Sequence, residues 1–174
     1  MEENHRAFLA ATIPHLDAVY RVARYAGIGS WQPEDLVQET YLRAFAGFSG
    51  HTGPNTRAWL ITICLNVARS EGRRRSRRVV EQPIGERGDI HASTADVFAD
   101  VQAGLDSEAV HLALARLPAD QRLAIVLMDL NGHTAAEVAE MLGCPRGTIL
   151  ARVHRGHRLL AQLLVESGVD REMS

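Results

Sequence analysis

The stretch from Gly132 to Val165 constrains the fold more than any other part of the chain, because it combines a helix start, a turn and a second helix. Thr134-Ala-Ala-Glu137 forms a capping box, in which the Thr and Glu side chains accept hydrogen bonds from backbone N–H groups that would otherwise lack a partner. Gly143 can take the positive φ that ends such a helix, and Pro145 suits the start of the next one. The spacing therefore predicts a helix-turn-helix over residues 132–165.

The second helix of this motif separates apolar from basic side chains. An apolar stripe is formed at helical spacing by Ile149, Val153, Leu160 and Leu164. Another side of the helix carries, at steps of four, three and three, Thr148, Arg152, Arg155 and Arg158. Residues 146–165 contain four arginines and no acid, so this helix can neutralise phosphates or bind guanine edges. A solvated charged face is the alternative, but the turn and the absence of acids favour DNA in the major groove.

The charge of the chain falls into segments of alternating sign, although the net charge is only −2. Residues 55–78 carry seven arginines against one glutamate, a net of +6. Residues 79–108 carry seven acids against one arginine, a net of −6, and residues 146–165 carry +4. Two basic segments separated by an acidic one indicate two small nucleic-acid-binding modules.

The composition argues against several other classes of protein. No apolar run approaches the roughly 18 residues that span a membrane, and the acidic N-terminus lacks a signal-peptide pattern, so we expect a soluble cytoplasmic protein. Cys64 and Cys144 lack a paired-cysteine motif and are expected to be small core residues. The eight histidines show no zinc-binding spacing, and no glycine-rich phosphate loop occurs. We therefore expect no metal, no cofactor and no catalytic activity.

The N-terminal part is predicted to be helical and to leave one polar face exposed. Apolar residues with a helical period between residues 5 and 26 include Phe8, Leu9, Ile13 and Val19, and Pro14 interrupts or restarts this helix. A further helix begins at Pro33. Its expected core residues are Leu36, Val37, Tyr41, Ala44, Phe45 and Phe48. Its opposite side carries Asp35, Gln38, Glu39 and Arg43.

After a loop over residues 49–56, the next predicted helix, residues 57–78, changes from apolar to strongly basic. Thr62, Asn66, Arg69 and Arg73 form a polar stripe at steps of four, three and four. Asn66 either binds a base edge or caps a loop within the protein, and the arginines that follow it favour nucleic acid. Trp59 lies close to the stripe and either stacks on a base or belongs to the core; its apolar neighbours favour the core.

Five motifs in this order resemble those of the bacterial extracytoplasmic-function (ECF) sigma factors of the sigma-70 family. They are Pro-His-Leu-Asp-Ala-Val-Tyr-Arg (14–21), Glu-Asp-Leu-Val-Gln-Glu-Thr-Tyr-Leu-Arg-Ala-Phe (34–45), Arg-Ala-Trp-Leu (57–60), Leu-Pro-Ala-Asp-Gln-Arg (117–122) and Gly-Thr-Ile-Leu-Ala-Arg-Val-His-Arg (147–155). The resemblance covers nearly the whole chain except the linker and the tail.

The resemblance implies an all-α protein of two small helical domains joined by a flexible acidic linker. Residues 1–78 would be sigma region 2, residues 79–106 the linker, residues 107–165 sigma region 4 with the helix-turn-helix, and residues 166–174 a tail. In the family, the polar face of residues 35–43 docks on the clamp helices of the largest polymerase subunit. By resemblance, this role falls to Asp35, Gln38, Glu39 and Arg43.

The resemblance also assigns DNA contacts to both modules. In the family a non-template base of the minus-10 element is flipped into a pocket around the loop before the third helix, here residues 49–56. Bases would be read by Asn66 and Thr62, and the backbone held by Arg57, Arg69, Arg73 and Arg74. The minus-35 element would be contacted by Arg146, Thr148, Arg152, His154, Arg155 and Arg158, and this module also meets the polymerase flap.

Two pairs of residues depart from the family pattern. Leu150-Ala151 stand where members usually carry Lys-Ser, and Gly156-His157 stand where Ala-Arg is common. Either fewer phosphate contacts or an altered minus-35 preference follows from these differences. An anti-sigma protein is a further partner that the resemblance implies, and an independent helix-turn-helix regulator is the alternative function.

Overall fold

A computed structural model describes residues 2–26, 31–51, 53–81 and 108–166, with only the backbone described for residues 50, 71 and 74–81. The N-terminal module contains α1 (Glu2–Thr12), α2 (Leu16–Ala26), α3 (Pro33–Gly47) and α4 (Thr56–Glu81). The C-terminal module contains α5 (Glu108–Arg116), α6 (Ala119–Ile125), α7 (Ala135–Leu142) and α8 (Arg146–Glu166). No strand occurs within these ranges, so the described chain has the all-α fold that the sequence predicts.

The prolines, the glycine and the capping box identified in the sequence account for several helix ends. Pro14 lies in a 3₁₀ turn, Ile13–His15, that separates α1 from α2, and Pro33 is the first residue of α3. The Thr134–Glu137 capping box begins α7, with both reciprocal bonds present. Gly143 ends α7 with φ of 65°, in the left-handed region that glycine enters without steric cost. The helix-turn-helix prediction is thereby confirmed in its local geometry.

The core of the N-terminal module is built where α2 and α3 pack against α4. Its fully buried side chains include Val19, Val22, Leu36, Leu60, Ile61, Leu65 and Val67. Cys64 is also fully buried, as predicted. One residue expected in this core, Phe45, is instead 42% exposed. That prediction was wrong because helical spacing selects a face of a helix but not how much of that face a neighbour covers.

The core of the C-terminal module forms where α8 packs on α6 and α7. Leu127, Val138 and Ile149 are fully buried there. A π-helical turn, Val126–Leu130, continues α6. Gly156 of α8 lies against α6, because a Cβ at this position would be 2.6 Å from the Ile125 Cδ1 atom. Glycine therefore allows the two helices to approach closely.

The two modules contact each other directly. α2 packs on α6 and on the π-helical turn, and several separate hydrogen bonds cross the contact. Arg21 Nη1 donates to the Leu130 carbonyl at 2.6 Å, and Arg122 Nε donates to the Tyr25 carbonyl at 3.2 Å. The Tyr25 hydroxyl lies 2.6 Å from His111 Nδ1. In this arrangement an arginine of each module thus donates to a backbone carbonyl of the other, and a tyrosine of α2 pairs with a histidine of α5.

The N-terminal module ends slightly later along the chain than the sequence predicts. Helix α4 runs to Glu81, three residues beyond the boundary at 78 that the sequence predicts. The rest of the predicted linker and the tail after Glu166 lie outside the described residues. Across the helices that are described, none combines the length and the apolar character needed to span a bilayer.

Candidate nucleic-acid interface

The polar face predicted on α3 lies at the surface. Asp35 and Gln38 are exposed, and Glu39 is half-buried. Arg43 Nε donates to Glu39 Oε1 at 2.6 Å, one helical turn away. The structure thus brings the four residues predicted for polymerase docking onto one side of a single helix, with two carboxylates and one guanidinium in reach of a partner.

Apolar side chains border this face, and sequence periodicity did not identify them as surface residues. Leu42 is 60% exposed and Phe45 42% exposed, and Phe45 forms an edge-to-face contact with Phe8. Phe45 was expected in the core, but only part of its ring is covered. The signal that could have identified Leu42 is its spacing, because it lies three residues after Glu39 and therefore on the polar side of α3.

The stripe predicted on α4 is accessible at its C-terminal end. Asn66, Arg69 and Arg73 are exposed. Thr62 is half-buried, and its hydroxyl donates to the Ala58 carbonyl at 2.8 Å. Arg74 lies on the same helix, but its side chain falls outside the described residues. The exposure of Asn66 favours the interpretation that its amide faces outward over the interpretation that it caps an internal loop.

Arg57, at the start of α4, is placed differently from the rest of the predicted minus-10 set. Its guanidinium donates to the backbone carbonyl and the side-chain oxygen of Asn131 in the C-terminal module. Burial lowers the pKa of Arg57, and the charge of nearby Arg21 lowers it further. In this arrangement Arg57 is therefore held by the second module and is not presented beside Asn66 and Arg69.

The loop before α4 is ordered by side-chain contacts where the structure describes it. Asn55 Oδ1 accepts a hydrogen bond from the Ala58 backbone N–H at 3.0 Å, which caps the first turn of α4. The rings of His51 and Trp59 stack, with centroids 4.1 Å apart and planes 12° from parallel. Trp59 is half-buried and packs against the core, consistent with the core interpretation of this residue.

Helix α8 presents a cationic surface away from its buried side. Arg146, His154, Arg155 and Arg158 are exposed, whereas Ile149, Val153 and Gly156 are buried. Thr148 is half-buried. Arg152 Nε lies 3.1 Å from Asp120 Oδ2, and its side chain is only 24% exposed. Of the predicted minus-35 set, four residues are thus presented at the surface, one is half-buried and one is engaged in an ion pair within the module.

One exposed side chain of α8 was not identified from the sequence as a contact residue. Leu150 is 45% exposed and follows Arg146 by one helical turn. Its neighbour Ala151 is half-buried. The signal was available in the spacing, because Leu150 falls outside the apolar stripe that Ile149 and Val153 define.

Metal binding and thiol chemistry depend on where histidine, cysteine and acidic side chains lie. No cluster of three or more histidine, cysteine, aspartate or glutamate side chains that could hold a metal ion occurs among them. Burial raises the pKa of the Cys64 thiol to about 11, which keeps this core cysteine protonated at neutral pH.

Comparison with known families matches both modules separately. The family model described as Sigma-70 region 2 matches residues 14–78, and the model described as Sigma-70, region 4 matches residues 107–160. The first match covers α2, α3 and most of α4, and the second covers the helices from α5 through most of α8.

Curated relatives and solved structures match most of the chain. It is 41% identical over 138 residues to the ECF RNA polymerase sigma factor EcfG of Rhodopseudomonas palustris, covering 79% of this chain and 74% of that protein. It is 35% identical to SigL of Mycobacterium tuberculosis, covering 90% of this chain and 88% of SigL.

Two solved structures share the arrangement of helices. The sigma factor RpoE in complex with the anti-sigma factor NepR, from Bartonella quintana, matches with a TM-score of 0.69 and 32% identity, covering 94% of this chain and 98% of RpoE. CnrH in complex with the cytosolic domain of CnrY matches with a TM-score of 0.63 and 26% identity, covering 93% of this chain and 90% of CnrH. Two family modules in order, on a fold shared with sigma factors, establish that this chain belongs to the ECF RNA polymerase sigma factors of the sigma-70 family.

Proposed function

We propose that this chain binds core RNA polymerase and directs it to promoters that carry a minus-10 and a minus-35 element. The observation that carries the proposal is the exposed polar face of α3 in a chain that also holds two basic helices. An independent DNA-binding regulator needs the basic helices but has no use for a third charged surface. The face of Asp35, Gln38, Glu39 and Arg43 is assigned to the clamp helices of the largest polymerase subunit.

The N-terminal module is proposed to hold the melted minus-10 element. Asn66 reads a base, with Thr62 beside it. Four arginines hold phosphates, namely Arg57, Arg69, Arg73 and Arg74. Extruding a base costs a few kcal/mol of stacking, which contacts in a shaped pocket and phosphate neutralisation offset. Thr62 reaches a base only if its hydroxyl exchanges the Ala58 carbonyl for the new partner.

The C-terminal module is proposed to read the minus-35 element as duplex DNA and to meet the polymerase flap. Its contacts are Arg146, Thr148, Arg152, His154, Arg155 and Arg158. The acidic linker, residues 79–106, then ties the two DNA contacts together. Linked modules bind as one unit when their separation fits the spacing of the sites, so two weak readers become one specific reader.

The remaining parts of the proposal concern chemistry, location and regulation. The chain acts without catalysis and without a cofactor, in the cytoplasm where bacterial transcription takes place. An anti-sigma protein is proposed as its inhibitor, because the RpoE structure named above is a sigma factor held in a complex with such a protein.

Reconstitution with purified core polymerase tests the proposal. Core polymerase and the chain are mixed with genomic fragments, and run-off transcripts are mapped for a shared pair of upstream elements. We expect initiation at such promoters only when both proteins are present. An independent regulator would bind promoter DNA alone but would neither associate with core polymerase nor support specific initiation, and that result would overturn the proposal.

Two single substitutions separate the polymerase surface from the DNA surface. Asp35→Ala should weaken the association with core polymerase, and Arg155→Ala should reduce promoter use while core binding is retained. Glu3→Ala, which removes an exposed acid of α1, and Arg116→Ala, which removes an exposed arginine of α5, are the matched controls. Loss of core binding in the Glu3 control as well as in the Asp35 variant would show that any surface acid has the same effect.

A further inference from the structure

The first half of α8 presents an exposed ridge of three side chains spaced four residues apart: Arg146, Leu150 and His154. The helix already buries its apolar side through Ile149 and Val153. Leu150 therefore lies outside the core, with 45% of its surface exposed between two groups that can bind nucleic acid. An exposed leucine between a guanidinium and an imidazole adds little to the folding of the module.

The surroundings of Leu150 indicate the class of its partner. The exposed charged or ionisable side chains of α8 up to residue 158 are arginines and histidines, and residues 146–165 contain no acid. A cationic surface of this kind is complementary to phosphates rather than to a basic or mixed protein surface. The proposed function of this module makes the occupant of the ridge duplex DNA, with Leu150 facing the bases and the flanking cations the backbone or guanine edges.

The chemistry of the major groove then narrows what Leu150 can recognise. A leucine side chain neither donates nor accepts hydrogen bonds, so it cannot bind phosphate or a polar base edge. The thymine 5-methyl is the apolar group that base pairs present in the major groove. We propose that Leu150 is a specificity residue that contacts a thymine methyl in the minus-35 element, an inference that rests on the proposed function of the C-terminal module.

Deoxyuridine provides a direct test, because as a replacement for thymidine it lacks only the 5-methyl and pairs in the same way. Once run-off mapping has defined a minus-35 element, each of its thymines is replaced in turn by deoxyuridine. Binding is measured for the full chain in complex with core polymerase. At one position we expect wild-type affinity to fall about fourfold, the effect of losing the burial of one methyl.

The variant Leu150→Ala should lose affinity for the thymine duplex by a similar factor and should no longer distinguish thymine from deoxyuridine at that position. The matched control is Leu112→Ala, which removes another exposed leucine, 54% exposed on α5, and should keep the wild-type discrimination. The proposal is overturned if Leu150→Ala still distinguishes thymine from deoxyuridine as the wild type does at every position. It is also overturned if the minus-35 element has no thymine on either strand. A different outcome would also overturn the proposal: the wild-type chain self-associates, Leu150→Ala does not, and both distinguish thymine from deoxyuridine equally well. That result would assign the Leu150 side chain to a protein contact instead.

The same assay separates this inference from the function on which it rests. Initiation at mapped promoters by the wild-type complex reports on the proposed function. This readout does not depend on whether the complex distinguishes thymine from deoxyuridine. If initiation occurs and discrimination is unaffected by Leu150→Ala, only the specificity role fails. If no initiation occurs with core polymerase, the proposed function fails and the specificity role fails with it.

Discussion

At the scale of single residues, glycine positions show how backbone conformation and helix propensity act in opposite directions. Gly143 has φ of 65° at the end of α7, whereas Gly72 lies within α4 with open space where a Cβ would stand. We expect Gly143→Ala to lower the free energy of unfolding by about 1–2 kcal/mol, because an L residue is strained in the left-handed region. Urea denaturation of the full chain measures this change.

Gly72→Ala is the matched substitution and should have the opposite sign. Alanine in a helix interior is favoured over glycine by up to about 1 kcal/mol. Among the described residues, no atom lies within 4 Å of the position that the added methyl would take. Destabilisation of similar size in both variants would mean that the positive φ of Gly143 is not the cause of its effect.

At the scale of secondary-structure elements, the contact between α6 and α8 decides which arginines are available to DNA. Asp120 holds Arg152 in an ion pair of 3.1 Å. Asp120→Asn should change stability by no more than about 1 kcal/mol, since both groups are partly exposed. It should raise affinity for a minus-35 duplex, because Arg152 is released toward phosphate and a nearby negative charge is removed.

Fluorescence anisotropy over a range of salt concentrations measures this effect. One additional phosphate contact steepens the dependence of log affinity on log salt by about 0.9. The double variant Asp120→Asn with Arg152→Ala is the control and should lose the added slope. If it keeps the gain in slope, Arg152 is not the residue that was released.

At the scale of the whole molecule, the contact between the modules contains a histidine that makes stability depend on pH. His133 is buried near Arg57 and lies 3.9 Å from Glu137, measured from Nδ1 to Oε2. Burial lowers the pKa of His133 and Arg57 lowers it further, against the smaller opposite effect of Glu137. The unfolded chain therefore takes up this proton at a higher pH than the folded chain does.

We accordingly expect the contribution of neutral His133 to be fully present above about pH 6.5 and to be lost as the pH falls below that value. Urea denaturation between about pH 8 and about pH 5.5, a range that brackets the ordinary histidine pKa, measures this loss. His133→Gln should flatten the part of the profile that His133 causes. An identical pH profile in the variant would contradict the assignment.

The module contact also leaves polar atoms without partners. Arg57 Nε and His133 Nε2 are buried, and neither atom has a hydrogen-bond partner among the described residues. An unsatisfied buried polar atom costs about 1–3 kcal/mol, which weakens the contact relative to a fully satisfied one. A weakened contact lowers the cost of releasing Arg57, as the proposed contact between Arg57 and DNA requires.

Much of the fold could be predicted because its signals are local. The capping box at Thr134, the end of α7 at Gly143 and the start of α3 at Pro33 depend on the conformation of a few neighbouring residues, and all three predictions are confirmed. The helical spacing that predicted burial of Ile149 and Val153 was equally clear. Phe45 was not assigned correctly, since its exposure depends on how far the neighbouring helices cover α3.

The order of motifs along the chain was sufficient to establish two helical modules, their charge and the family to which they belong, because these properties reside in local spacing and composition. The partners of individual side chains depended on the packing of distant segments. Arg57 meets Asn131 across 74 positions, and Arg152 meets Asp120 across a helix contact. Only the folded chain determined that these two arginines are engaged, because each outcome depends on which distant segments are brought into contact.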